Sequence, residues 1–91
     1  MIADNVKLRL ANGVVGTLEG EELVLVDESG DRVYGVDGPA AEAVELLNQG
    51  KTFGEAVQAL LITYDVDPGT LRADLQSSLS KLISSGIVIA T

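Results

Sequence analysis

The sequence predicts a small α+β domain of winged-helix-like architecture: a small antiparallel N-terminal sheet of about three strands, three helices and a short C-terminal strand. Two patterns support this class. Short apolar segments separated by turn residues run up to residue 36, and three segments with helical apolar spacing follow them. A chain of 91 residues can bury one modest core, so we assign residues 1–91 to a single domain.

The first part of the chain has the pattern of short strands. The candidate strands are residues 6–10, 14–18, 23–26 and 32–36. Asn12-Gly13 predicts a tight turn, because both residues tolerate positive φ. The uniformly apolar residues 23–26 favour a strand that is buried on both faces, and Ser29-Gly30-Asp31 predicts the turn that completes a hairpin.

Helix signals begin directly after the last of these strands. Asp37-Gly38-Pro39 predicts the first helix start, Thr52 and Glu55 have the spacing of a capping box, and Asp67-Pro68 opens a third helix. Gly50 and Gly86 follow the first and third helices as left-handed stops. The predicted buried positions are Ala40, Ala43, Val44 and Leu47, then Phe53, Ala56, Val57, Leu60, Leu61 and Tyr64, and then Leu71, Leu75, Leu79, Leu82 and Ile83. Residues 87–89 predict a short final strand or a tail that closes the core.

The composition argues against catalysis. The chain has no histidine and no cysteine, which removes the commonest general base and excludes disulfides and thiolate–metal sites. Ser77 and Ser78 lie within reach of Lys81 on one helix, but an exposed polar face explains them better. The acids around residue 30 lack the alternating oxygens of a calcium loop. We therefore expect no enzyme, no catalytic residues, no metal and no cofactor.

The charge balance also restricts the partners. The net charge is −8 and no segment clusters lysine and arginine, so nucleic acid would be repelled and a basic partner attracted. No signal peptide or membrane-length apolar run is visible, which predicts a soluble cytoplasmic protein without a membrane partner.

A set of turn, cap and core residues occurs in a distinctive order. The set comprises Gly30, Asp31 and Tyr34, then Pro39-Ala40-Ala41-Glu42-Ala43-Val44-Glu45-Leu46-Leu47, Gly50-Lys51-Thr52 with Glu55-Ala56, Tyr64-Asp65-Val66-Asp67-Pro68, Asp74-Leu75, Leu79, Leu82 and Gly86-Ile87-Val88. In this order and spacing, residues 23–88 resemble the PqqD-like family. Members of that family are small domains that recognise the leader segments of ribosomally made, post-translationally modified peptides (RiPPs).

The resemblance implies a non-catalytic binding site for a leader peptide. The leader would add as a strand to the edge strand 32–36, beside the third helix, which has Asp74, Ser78 and Lys81 on one flank and Arg72, Gln76 and Ile83 on the other. The flank with Ser78 is expected to line the groove, because an aromatic residue is frequent there in the family. The implied peptide-binding residues are Arg32, Val33, Tyr34, Gly35, Val36, Leu71, Asp74, Leu75 and Ser78.

The same resemblance implies the partners. These are a precursor peptide and a leader protease or other maturation enzyme, and the free-standing length is similar to the discrete recognition proteins of lasso-peptide clusters. An open strand edge would also permit a weak homodimer. Two alternatives remain: a peptide chaperone of the pyrroloquinoline-quinone pathway, and a winged-helix regulator that binds DNA or another protein.

Overall fold

The computed structural model describes residues 1–29 and 31–91, and its element order confirms the predicted class. The elements are β1 (Leu8–Leu10), β2 (Val14–Glu19), β3 (Glu22–Asp27), β4 (Arg32–Asp37), α1 (Gly38–Asn48), α2 (Phe53–Thr63), α3 (Pro68–Ser84) and β5 (Val88–Ala90). The turn predicted around residues 29–31 includes Gly30, which lies outside the described residues. No helix within residues 1–29 and 31–91 has the length and apolar character that crossing a membrane requires.

The strands form two separate antiparallel sheets. One has the order β2-β3-β4, and the other pairs β1 with β5, so that Leu8 lies opposite Ala90. The predicted turn at Asn12-Gly13 is present, with Gly13 at φ 87° and the Val14 N–H donating to the Ala11 carbonyl at 3.1 Å. It connects the two sheets, because β1 pairs with the distant C-terminal strand.

The three-stranded sheet has one buried face and one open face. Leu23 and Leu25 of β3 are 4% and 0% exposed on the face that packs against the helices, which we call the inner face. Val24 and Val26 point to the opposite, outer face and are half-buried. The prediction that residues 23–26 are buried on both faces is therefore wrong, because the helices cover only one side of this sheet.

The helices begin at the predicted caps. The Thr52 hydroxyl accepts from the Glu55 N–H at 3.2 Å, and the Glu55 carboxylate accepts from the Thr52 N–H at 2.8 Å, which completes the capping box. Asp67 accepts from the Thr70 N–H at 2.9 Å at the start of α3. Asp37 is both the last residue of β4 and the N-cap of α1, so no loop separates the strand from the helix. Its side chain makes no cap hydrogen bond.

The third helix contributes the longest stripe of the core. Leu71, Leu75, Leu79 and Leu82 are buried, as predicted. Ile83 is 38% exposed, so its predicted burial is wrong. It lies about 100° around the helix from Leu82 and about 40° beyond Leu79, which places it at the border of the buried stripe.

Burial differs from the prediction at four further positions. On α1, Ala41 is buried and Ala40 only half-buried, and Leu61 and Tyr64 at the end of α2 are also half-buried. Gly50 and Gly86 adopt φ angles of 103° and 77°, which confirms the left-handed conformation predicted beyond the helix ends.

The N-terminal segment is fastened to α3. The Arg72 guanidinium donates to both carboxylate oxygens of Asp4, at 2.7 and 3.2 Å, and Gln76 exchanges hydrogen bonds of 2.7 and 2.8 Å with the backbone of Ile2. The hydrogen bond from Arg72 lowers the pKa of Asp4 from its ordinary value of 3.8. These contacts hold residues 2–4 on one flank of α3.

The Asp4–Arg72 pair predicts an acid-sensitive contribution to stability. Because the pKa of Asp4 is lower in the folded protein, the contribution is complete above its ordinary value of 3.8 and is lost as the pH falls through the lowered value. The difference in unfolding free energy between the wild type and Asp4→Asn should be constant near neutral pH and should shrink below about pH 4. Denaturant titrations across pH measure this, with Asp65→Asn as the control at an exposed carboxylate. A difference that is independent of pH would contradict the assignment.

Candidate binding groove

Strand β4 is an edge of its sheet, with β3 on one side only. The Glu28 N–H donates to the Gly13 carbonyl at 3.1 Å, which fixes the alternation of backbone directions along the paired strands. The residue pairs of β2 with β3 and of β3 with β4 extend this alternation to β4. The N–H and C=O groups of Val33 and Gly35 therefore point away from β3. Among the described residues, no backbone hydrogen bond outside the sheet engages these groups.

Two adjoining cavities lie between this edge and α3. One of about 270 Å³ is lined by Tyr34, Gly35, Val36, Asp37, Ala40, Ser78, Lys81 and Leu82. The second, of about 290 Å³, is lined by Asp37, Pro39, Ala40, Leu71, Asp74, Leu75, Ser77 and Ser78. They share Asp37, Ala40 and Ser78, and we call the two cavities together the trough.

Small side chains and helical spacing create the trough. Ala40 in the first turn of α1 and Ser78 in the middle of α3 leave the space between the elements open. Asp74 and Lys81 lie four residues before and three after Ser78, so all three share one flank of α3. This is the flank that sequence reasoning assigned to the groove.

The floor of the trough is apolar and its rim is charged. Leu71 and Leu75 are 3% and 1% exposed, so they belong mainly to the core and contribute only their edges. Asp74 lines one cavity and Lys81 the other, and both residues are exposed. Neither residue forms an ion pair within the described part of the chain, and both can therefore face a guest.

Arg32 is a predicted site residue that lines neither cavity. Its guanidinium donates to the buried Asp27 carboxylate at 2.8 Å and to the Tyr34 hydroxyl at 3.3 Å, and it lies 5.8 Å from the centre of the Tyr34 ring. The hydrogen bond to Asp27 raises the pKa of Arg32. Arg32 therefore positions the aromatic ring at one end of the trough.

Most of the residues predicted for the site lie together. Tyr34, Gly35, Val36, Leu71, Asp74, Leu75 and Ser78 all line the trough, whereas Val33 is 66% exposed and lies on the outer face, since it alternates with Tyr34. Sequence reasoning missed Asp37, Pro39, Ala40, Ser77, Lys81 and Leu82. Lys81 was identifiable, because its spacing places it on the flank of Asp74 and Ser78. The sequence pattern indicates Asp37 and Pro39 only as helix-start signals.

A further cavity lies at the opposite edge of the same sheet. It measures about 350 Å³ and is lined by Leu10, Gly16, Leu18, Leu23, Val44, Glu45, Asn48 and Gln49. It is larger than either half of the trough and was not predicted from the sequence. Its apolar wall includes Leu18, which is 56% exposed although it shares the inner face with buried Leu23.

Two solved structures are similar to this fold. "TbiB1 in Complex with the TbiA(beta) Leader Peptide" is 28% identical in sequence, with a TM-score of 0.80 over 88% of this chain and 93% of that one. "Lasso peptide synthetase B1 complexed with the leader peptide" is 20% identical, with a TM-score of 0.80 over 91% of this chain and 98% of the other, and supports the fold alone. No curated protein sequence matches the chain.

The sequence itself matches a family model over most of its length. The model is that of coenzyme PQQ synthesis protein D (PqqD), and it covers residues 22–88, from β3 to the first residue of β5. The matched span contains β4, α1 and α3, and so includes every residue that lines the trough. The chain belongs to the PqqD family.

Proposed function

We propose that this protein binds the leader segment of a ribosomally synthesised precursor peptide in the trough, by strand addition to β4, without catalysing a reaction. It then presents the leader to a leader protease or another modifying enzyme of a lasso-peptide pathway. The observation that carries this proposal is the open edge of β4 with a charged, apolar-floored trough beside it. The family, and the leader complex of the structure that is 28% identical in sequence, support it.

The family match favours the β4 edge over the β2 edge. Every residue that lines the trough falls within residues 22–88, the span of the family model. The larger cavity takes Leu10, Gly16 and Leu18 from outside that span. A binding function common to the family is therefore better placed at β4, although the cavity there is not the largest.

Strand addition and side-chain burial have different roles in this proposal. Pairing with both N–H and both C=O groups of Val33 and Gly35 adds four hydrogen bonds, each with a net contribution of about 0.5–1.5 kcal/mol. Ordering a disordered peptide costs about 2–5 kcal/mol or more. Backbone pairing alone therefore contributes little net binding free energy. One buried aliphatic or aromatic side chain contributes about 1.5–3 kcal/mol, so the trough supplies most of the affinity and the sequence preference.

The charged rim defines the class of leader. We infer a peptide with two apolar anchors, a basic side chain near Asp74 and an acidic one near Lys81. Because Asp74 and Lys81 lie about two turns apart along the same flank of α3, they also fix the direction in which the guest chain runs, since only one orientation places both of its charges against opposite charges.

The two alternatives differ in their support. A peptide chaperone of the pyrroloquinoline-quinone pathway is supported by the description of the family model. Such a protein would use the same trough with another precursor. A DNA-binding regulator has less support, because Arg72, one of the two bases of α3, is engaged by Asp4 and the net charge is −8. Titration with leader peptides from both pathways and with mixed duplex DNA across salt concentrations separates these functions.

Blocking the trough should abolish leader binding without unfolding the protein. Ser78 lies where the two cavities meet, so Ser78→Trp is expected to weaken binding of a fluorescently labelled leader by at least about tenfold. Ser80→Trp is the matched control, because Ser80 is exposed and lies about 200° further around the same helix. Equal affinity of both variants would remove the trough from the binding site.

Strand addition predicts an alternating response to backbone methylation of the leader. Only every second residue of an added strand points its N–H toward β4, so single N-methyl substitutions along the leader should weaken binding at alternate positions. Isothermal titration of a series of N-methylated leaders measures this. Affinities without a two-residue period would contradict pairing with β4, even if the trough remains the site.

Reversing a charge on the rim of the trough should reverse the charge preferred at the facing position of the leader. Asp74→Lys is expected to weaken binding of a leader with a basic side chain at the facing position by about threefold to tenfold, and the leader with an acidic residue there should recover the loss. Lys81→Glu should show the opposite preference. The effect should fade in molar salt, since the rim is exposed to solvent. Failure of every exchanged leader to recover affinity would show that these charges do not face the guest.

A further inference from the structure

Apart from Gly35 and Asp37, which also line the trough, the outer face of the three-stranded sheet contributes no residue to the cavities of the proposed leader site. The pairing register arranges its side chains in three rows that cross the strands. The rows are Val15, Val26 and Val33, then Thr17, Val24 and Gly35, and then Glu19, Glu22 and Asp37. We call these the valine row, the middle row and the acidic row.

The valine row is an exposed apolar stripe. Val15 and Val33 are 49% and 66% exposed on either side of half-buried Val26, and Val24 in the middle row extends the apolar surface. The helices pack against the inner face, so no helix of the described chain covers these side chains. Contiguous exposed apolar surface of this kind is characteristic of interaction sites.

The acidic row places three carboxylates directly opposite one another on neighbouring strands, an arrangement that destabilises a sheet. Within the described residues, the ion pairs of the chain engage Asp27 and Asp4, and none reaches this row. The carboxylate of Glu22 extends over Gly35, where an added Cβ would lie 2.5 Å from its Oε2 atom. Negative charge therefore reaches from the acidic row across the middle row.

We propose that the outer face is a second docking surface, which binds a segment of another protein that carries lysine or arginine beside aliphatic or aromatic side chains. A cation of the partner would relieve the repulsion within the acidic row, while its apolar side chains cover the valine row. This inference rests on the proposed function, because a leader-binding protein without catalytic groups must meet the enzyme that processes the leader. Since the trough lies on the α3 side of the sheet, leader and partner can bind together.

A second copy of the chain fits this face poorly. The exposed Glu28 and Asp31 lie on the far side of the valine row from the acidic row, so acidic residues flank the valines on both sides. Two copies stacked face to face would therefore bring acidic groups together. With a net charge of −8 on each copy, this contact would be repulsive. The charge pattern therefore selects a basic partner.

Selection from a displayed library of random peptides tests the proposal, because it shows which side chains a segment needs to bind the outer face. Peptides that bind the wild-type protein are selected, and those that also bind the Val15→Lys variant are removed. The remaining peptides are titrated against Glu22→Lys, Glu22→Gln and Ser78→Trp. Ile62→Lys is the matched control, because Ile62 is 88% exposed on α2, away from the sheet. Circular dichroism verifies that each variant is folded.

The proposal predicts survivors that combine basic with aliphatic or aromatic residues. They should lose at least about tenfold in affinity for Glu22→Lys, lose less for Glu22→Gln, and bind Ile62→Lys and Ser78→Trp as the wild type does. Their affinity should fall as salt rises. The absence of survivors, survivors without basic residues, or a wild-type dimer that Val15→Lys abolishes would overturn it. The leader titration with Ser78→Trp tests the trough separately, so failure of either site is distinguishable from failure of the other.

Discussion

The proposed site depends on one constraint: the backbone of β4 has a hydrogen-bonding partner on one side only. β4 continues directly into α1 at Asp37, and within residues 1–29 and 31–91 no backbone hydrogen bond outside the sheet engages the outward groups of Val33 and Gly35. The leucine stripe of α3 packs into the core and holds the flank with Asp74 and Ser78 opposite that edge. The edge and its wall are therefore both formed by regular elements of the fold, as the proposed strand addition requires.

The local elements of this fold follow from short-range patterns in the sequence. Thr52 and Glu55 form the predicted capping box, Asp67 caps α3, and the leucines of α3 are buried as their spacing indicates. These features involve residues close in sequence, so helix geometry alone determines them. The position of Ile83 shows the limit, since a residue at the border of a stripe depends on how far the neighbouring elements extend.

Features that depend on distant contacts were not predictable in the same way. The pairing of β1 with β5 joins the two ends of the chain, and nothing in either segment specifies the other. The open outer face at Val24 and Val26 depends on which side of the sheet the helices occupy. Ala40 lines the trough because it is small and lies between β4 and α3, a role that its helical periodicity does not indicate.

The two faces of the sheet are proposed to bind different partners. The side toward α3 has an open backbone edge and a trough, which suit an extended peptide. The outer face has valines beside carboxylates, which suit a partner segment that carries basic and apolar side chains. Strand β4 contributes to both, with Tyr34 toward the trough and Val33 on the outer face. Under the two proposals, this one short strand would bring a leader close to the enzyme that processes it.

Amide hydrogen exchange tests the strand-addition account most directly. The amides of Val33 and Gly35 point outward from β4, and those of Gly16 and Leu18 point outward from β2 at the opposite edge by the same register. Saturating leader should slow exchange at Val33 and Gly35 and leave Gly16 and Leu18 unchanged. Protection of Gly16 and Leu18 instead, or binding that leaves all four amides unprotected, would contradict the account.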